Sequence, residues 1–152
     1  MKRRKYAGLS LLGRSETSLP GSPSHARLET FPNRNRSRDY WVRFECADFT
    51  SLCPVTGQPD FGRISIEYIP DESCLESKAL KFYLASYRNE RRFNEEIANR
   101  ILDDLVAACH PRRLIVKAEF APRGGIGISI SAEHPSEGAG GSAVFPRQSP
   151  PP

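Results

Sequence analysis

The spacing of apolar residues changes period twice along this chain, and that leaves few folds open. Tyr40, Val42, Phe44 and Cys46 alternate with Trp41, Arg43, Glu45 and Ala47, the period of two expected of a strand with one buried face. Alternation resumes in Ile64, Ile66 and Tyr68 against Arg63, Ser65 and Glu67, then stops at Pro70 and Asp71. From Glu76 to Arg88 the apolar residues are instead Leu80, Tyr83, Leu84 and Tyr87, three and four positions apart. Ile97, Ile101, Leu102, Leu105, Val106 and Cys109 repeat that spacing between Asn94 and Cys109, so both segments read as amphipathic helices. Period two returns in Leu114, Val116, Ala118 and Phe120 and again in Ile126, Ile128 and Ile130, around the turn Pro122-Arg123-Gly124-Gly125. The predicted fold is α+β, in the order ββααββ, with a four-stranded antiparallel sheet and two helices on one face. The edges of such a sheet predict association of copies through them.

The stretch Phe49 to Phe61 joins the first two strands and reads as a long connection, of the kind that often carries function. It sets Cys53 and Asp60 at the two ends of a turn built from Pro54, Gly57 and Pro59. A thiol and a carboxylate held by a stiffened loop suit addition of sulfur to an electrophilic carbon followed by movement of a proton. An unreactive buried cysteine beside a turn aspartate fits the same residues. Farther on, Asn94 is the expected N-cap of the second helix, Glu95 and Glu96 favour its positive end, and Pro111 closes it.

Charge is distributed unevenly. Residues 1–38 hold nine Lys or Arg against two Glu, a net +7, and the rest of the chain carries −3, giving +4 overall. Residues 1–27 are expected to be a disordered, solvated basic tail, 28–134 a single domain, and the Gly- and Pro-rich 135–152 a second disordered tail. The opening Met1-Lys2-Arg3-Arg4-Lys5 leads into an apolar stretch too short and interrupted for an export signal, and no run is long enough for a spanning helix. A soluble, cytoplasmic protein with no membrane partner is expected. The four cysteines, Cys46, Cys53, Cys74 and Cys109, form no close pair, which argues for free thiols rather than a metal site.

Several spaced motifs occur together: Phe49 to Phe61, Glu76-Ser77-Lys78-Ala79-Leu80-Lys81, Arg88-Asn89, Phe93 to Glu95, and Pro122-Arg123-Gly124-Gly125. Between about Leu28 and Ile130 the chain thereby resembles the single-domain class of 7-cyano-7-deazaguanine reductase, the NADPH-dependent nitrile reductase of queuosine biosynthesis. The resemblance implies the tunnelling fold, shared with GTP cyclohydrolase I, in which subunits join their sheets into rings and the active sites lie between them. A monomer would then be inactive.

It also implies roles for individual residues. Cys53 would add to the nitrile carbon of 7-cyano-7-deazaguanine to give a thioimide, Asp60 would supply the proton for the nitrogen, and two NADPH would bring the hydrides. Glu95 would accept the ring N–H and amino group of the guanine-like base together, with Leu75, Glu76 and Ser77 also at the substrate. Family members usually carry His where this chain has Asn94, so proton transfer there is lost and only positioning survives. From the residues themselves, Lys78 and Lys81, three apart on the first helix, share a face, and with Arg123 in the Gly-rich turn they would make a cluster for the phosphates of NADPH or else a solvated basic face; no Gly-x-Gly-x-x-Gly loop is present. Two alternatives use other chemistry. A cyclohydrolase-like enzyme would want zinc ligands, which His25, His110 and His134 are poorly placed to supply, and an RNA-binding module would need aromatic residues clustered on a basic strand face. No direct nucleic-acid partner is expected.

Overall fold

The computed structural model describes residues 18–135 of the chain. Its elements are β1 (Thr30–Pro32), β2 (Val42–Leu52), β3 (Pro59–Ile69), β4 (Ser73–Leu75), α1 (Ser77–Ala85), α2 (Asn94–Cys109), β5 (Arg113–Arg123) and β6 (Ile126–His134). The four long strands form an antiparallel sheet in the order β2-β3-β5-β6, and β1 pairs with β4 in a separate two-stranded sheet. The fold is therefore α+β with two helices, but its strands run ββββααββ rather than ββααββ. With three residues each, β1 and β4 are too short to show a period.

The inward face of the sheet follows from the alternation. Ile64, Ile66 and Tyr68 of β3 and Leu114, Val116, Ala118 and Phe120 of β5 form one core with Leu80, Tyr83 and Leu84 of α1 and Ile97, Ile101 and Leu105 of α2. Burying each such aliphatic side chain contributes roughly 1.5–3 kcal/mol. The opposite face is polar, with Arg43 and Lys117 flanking Glu67 at 3.0 and 3.6 Å. The first helix is shorter than its periodicity suggests: α1 stops at Ala85, and a 3-10 turn over Ser86–Asn89 carries Tyr87 into the core. There the Tyr83 and Tyr87 hydroxyls meet at 2.8 Å, and Tyr83 also donates to Asp104 at 2.7 Å, which satisfies two buried phenols.

Two features aim this scaffold at its tip. The register of β2 shifts between Cys46 and Phe49, so the inward set passes from Val42, Phe44 and Cys46 to Phe49 and Ser51. Asp60, in turn, shares the parity of Ile64, Ile66 and Tyr68, so β3 presents a carboxylate at the end of its core face. Both strands continue well into the stretch expected to be a long connection, and only the six residues from 53 to 58 join them.

The N-terminal boundary also differs from expectation. Within the presumed tail, residues 23–25 form a 3-10 turn with Pro23 buried. Arg88 Nη1 donates to Pro20 O at 2.8 Å, and Arg100 Nη2 donates to Ser24 Oγ at 2.9 Å. These contacts attach the segment to the domain instead of leaving everything before residue 28 in solvent. The remaining tail expectations, for residues 1–17 and 136–152, lie outside the described residues.

Candidate active site

Cys53 is the first residue beyond β2, and the loop closes on it. Its N–H donates to Gln58 O and its carbonyl accepts from Gly57 N, both at 2.9 Å. Gly57 has φ +69°, the left-handed region that favours glycine, and the Arg91 guanidinium packs so closely that a Cβ there would sit 3.1 Å from Nη2. This tight turn folds the Thr56 N–H back to 3.5 Å from Cys53 Sγ. The Thr56 hydroxyl, followed by the backbone N–H groups of Thr56 and Val55, pulls the half-exposed thiol down to a pKa of about 7; burial opposes this and the Arg123 guanidinium adds a smaller pull. A substantial share is thiolate at neutral pH. The other thiols differ: burial pushes Cys46 up and Cys109 up to about 12, and Cys74 is buried.

Asp60 is 8 % exposed and needs a partner, since a buried unpaired carboxylate is costly. Arg123 supplies it: Nη2 lies 2.7 Å from Asp60 Oδ1 and also donates to Pro59 O at 3.0 Å and Gln58 O at 3.4 Å. Directly across the ladder from Asp60 stands Ser51, fully buried, with an Oγ that has no hydrogen-bond partner. Sequence reasoning missed Ser51, because only the register shift in β2 turns it inward.

The start of α2 reaches this tip through residues 90–92. Leu52 N donates to Glu90 O at 2.9 Å and Arg92 N donates to Leu52 O at 3.3 Å, tying the segment alongside β2. Asn94 follows two residues later. It is not the N-cap: Phe93 takes that position, its N–H donating to Glu96 Oε2 at 3.1 Å. Glu96 is thus a capping charge, whereas Glu95 is exposed and its carboxylate has no partner among the described residues. The Oδ1 of Asn94 is buried and unpaired.

The remaining candidates lie around α1. Leu75 is buried in β4, its N–H donating to Tyr68 Oη at 3.0 Å. Glu76 caps α1, accepting from Lys78 N at 2.8 Å and Ala79 N at 2.7 Å, and those bonds hold its carboxyl below the usual range. Ser77 and Lys81 line a cavity of about 500 Å3 between α1 and the inward side of β2, together with Phe44, Cys46, Leu84 and Arg88. Lys78 extends over the Phe82 ring, 5.9 Å from its centre. Lys78 and Lys81 make no ion pair among the described residues. Arg123 is engaged with Asp60 and the 53–58 loop.

The comparisons with known proteins agree with one another. A family profile described as "QueF-like protein" matches residues 59–139. The NADPH-dependent 7-cyano-7-deazaguanine reductase of Syntrophus aciditrophicus is 55 % identical over 130 residues, 86 % of this chain and 89 % of that protein. The enzyme of the same description from Streptococcus thermophilus is 50 % identical over 127 residues, 84 % of this chain and 78 % of that one. Among solved structures, the crystal structure of the archaeosine synthase QueF-Like in the apo form matches with a TM-score of 0.58 and 29 % identity, covering 61 % of this chain and 91 % of that one. A profile spanning more than half of the residues, and relatives at half identity or above along most of their length, mean that the chain belongs to the QueF-like family that includes the NADPH-dependent 7-cyano-7-deazaguanine reductases.

Proposed function

We propose that this protein reduces the nitrile of 7-cyano-7-deazaguanine to an aminomethyl group with NADPH, within queuosine biosynthesis. The observation that carries this reading is the half-exposed Cys53 thiol, lowered to a pKa of about 7 on the short loop that leads into the strand carrying Asp60. Asp60, paired with Arg123, takes the thiol proton. The sulfur lone pair forms a C–S bond as one C–N π bond opens, and Asp60 passes the proton to the nitrogen. The product is a thioimide, with all atoms of thiol and nitrile retained. NADPH, when bound, supplies the hydrides that carry the carbon to the amine. Lys78 and Lys81 would hold its phosphates, and the exposed carboxylate of Glu95 would take the paired donors of the base. Glu76 is less suited to that task, since its capping bonds already occupy both oxygens.

Copies associate into a ring through sheet edges, and each site is completed by a neighbour. Edge strands β2 and β6 and the exposed Phe61, Phe93, Ile126 and Ile128 support this reading. The free thiols suit a reducing compartment such as the cytoplasm. Intact-protein mass spectrometry after mixing with 7-cyano-7-deazaguanine, without cofactor, tests the chemistry. The mass should rise by one nitrile, the adduct should map to Cys53, and Cys53→Ala should abolish it. NADPH oxidation at the normal rate by Cys53→Ala would sink the proposal.

A further inference from the structure

Arg123 lies at the end of β5, past a register shift between Phe120 and Arg123 that lets the strand end depart from regular pairing. From there a single guanidinium nitrogen reaches Asp60 Oδ1, Pro59 O and Gln58 O. Gln58 O is also the acceptor for the Cys53 N–H. Arg123 therefore grips both the proton-carrying residue and the carbonyl that anchors the nucleophile's backbone. On the other side of the loop Arg91 packs on Gly57, with Glu90 and Arg92 alongside Leu52. Among the described residues, Arg123 is the one cation paired with the Asp60 carboxylate.

We propose that Arg123 is a positioning residue for the Cys53–Asp60 pair, fixing the carboxylate's direction and the loop's closure before any cofactor binds. The physical reason is the depth of Asp60. Without the guanidinium, a carboxylate this buried would lose its one ion-pair partner among the described residues and the contact that fixes its direction, and it would turn away from the thiol. The loop would also lose the bonds to Gln58 O and Pro59 O that hold its second half. A cation beside the loop favours thiolate as well. Lysine keeps the charge but not the guanidinium's geometry, so it should restore only part of the effect. The inference rests on Cys53 acting as the nucleophile.

Thioimide formation consumes no NADPH, so it separates positioning from cofactor binding. Wild type, Arg123→Met and Arg123→Lys are compared by iodoacetamide alkylation of Cys53 against pH, read by peptide mass spectrometry, and by cofactor-free adduct formation with the nitrile. Arg123→Met should move the alkylation midpoint to higher pH and slow the adduct by about tenfold or more, with Arg123→Lys between it and wild type. The slowing should disappear when Arg123→Met is added to Asp60→Asn, because the two groups act as one unit. Wild-type alkylation and adduct rates in Arg123→Met, with only the KM for NADPH raised, would make Arg123 a phosphate ligand and overturn the inference. Equal slowing in the Asp60→Asn background would overturn it too. Should wild type form no adduct, the proposed function fails, and the alkylation profiles alone then decide whether Arg123 governs the thiol.

Discussion

Ser51 and Asp60 face each other directly across the β2–β3 ladder, both buried, and the Ser51 hydroxyl has no hydrogen-bond partner. Opposed residues on one face of such a pair bring their Cβ atoms to within about 4.5–5.5 Å. A buried hydroxyl left unpaired costs about 1–3 kcal/mol, against which only a small cavity term opposes its removal. Ser51→Ala should therefore leave the free energy of unfolding unchanged or raise it by about 1 kcal/mol, as urea denaturation would measure. A clear loss of stability would mean that the hydroxyl is satisfied in solution.

The thiol of Cys53 supplies the second expectation. Deprotonation creates the nucleophile, so alkylation of Cys53 should rise as pH increases through about 7 and level off about one unit above. Cys46, pushed the other way by burial, should react only at higher pH. The Thr56 hydroxyl makes the largest contribution to lowering the thiol, so Thr56→Val should move the Cys53 midpoint upward while leaving Cys46 where it was. Peptide-resolved alkylation rates across the pH range measure both.

Glu76 gives a pH-dependent contribution to stability. Its carboxylate caps α1 by accepting from Lys78 N and Ala79 N, and its pKa is depressed in the folded state. A depressed carboxyl stabilises the fold above its unfolded pKa and loses that contribution as pH falls through the folded value. Glu76→Ala should thus lower Tm by a few degrees near neutral pH, and the gap from wild type should close in acid. Paired thermal melts at about pH 7 and about pH 3 would show it.

How much of this could be read from the chain depends on whether a feature is local. Ile64, Ile66 and Tyr68, or Leu114 through Phe120, reveal themselves because a long strand repeats its own pattern. The inward turn of Phe49 and Ser51 does not, because the register shift after Cys46 reverses parity in a segment that still looks alternating. The site divides in the same way. Cys53 and Asp60 flank one short loop and stood out, whereas the partner of Asp60 comes from a distant strand, and Arg123 was grouped with Lys78 and Lys81 by its charge and its place in the Gly-rich turn. The N-cap shifted from Asn94 to Phe93 because Glu96 reaches back to the backbone N–H, so the capping group lies one turn inside the helix.

Gly62 links the strand that carries Asp60 to its neighbour, and it is the position where a single methyl should do the most damage. It sits opposite Phe120 on β5, two residues from Asp60, and a Cβ there would lie 2.8 Å from the Glu119 backbone carbonyl oxygen and 3.0 Å from the Phe120 ring. A flexible side chain could yield to that contact, but a ladder carbonyl can move only by pushing β3 and β5 apart. Overpacking of this kind costs about 1–3 kcal/mol. The displacement would reach Asp60 and change its distance from Arg123 as well. Gly62→Ala should therefore lower stability by that amount in urea titrations and slow cofactor-free adduct formation at Cys53. Gly127→Ala is the control: its nearest neighbour across space is Pro122 Cγ at 3.7 Å, an ordinary contact, so both measurements should stay near wild type. If Gly62→Ala behaves like Gly127→Ala, the spacing of β3 and β5 is not what holds Asp60 in place.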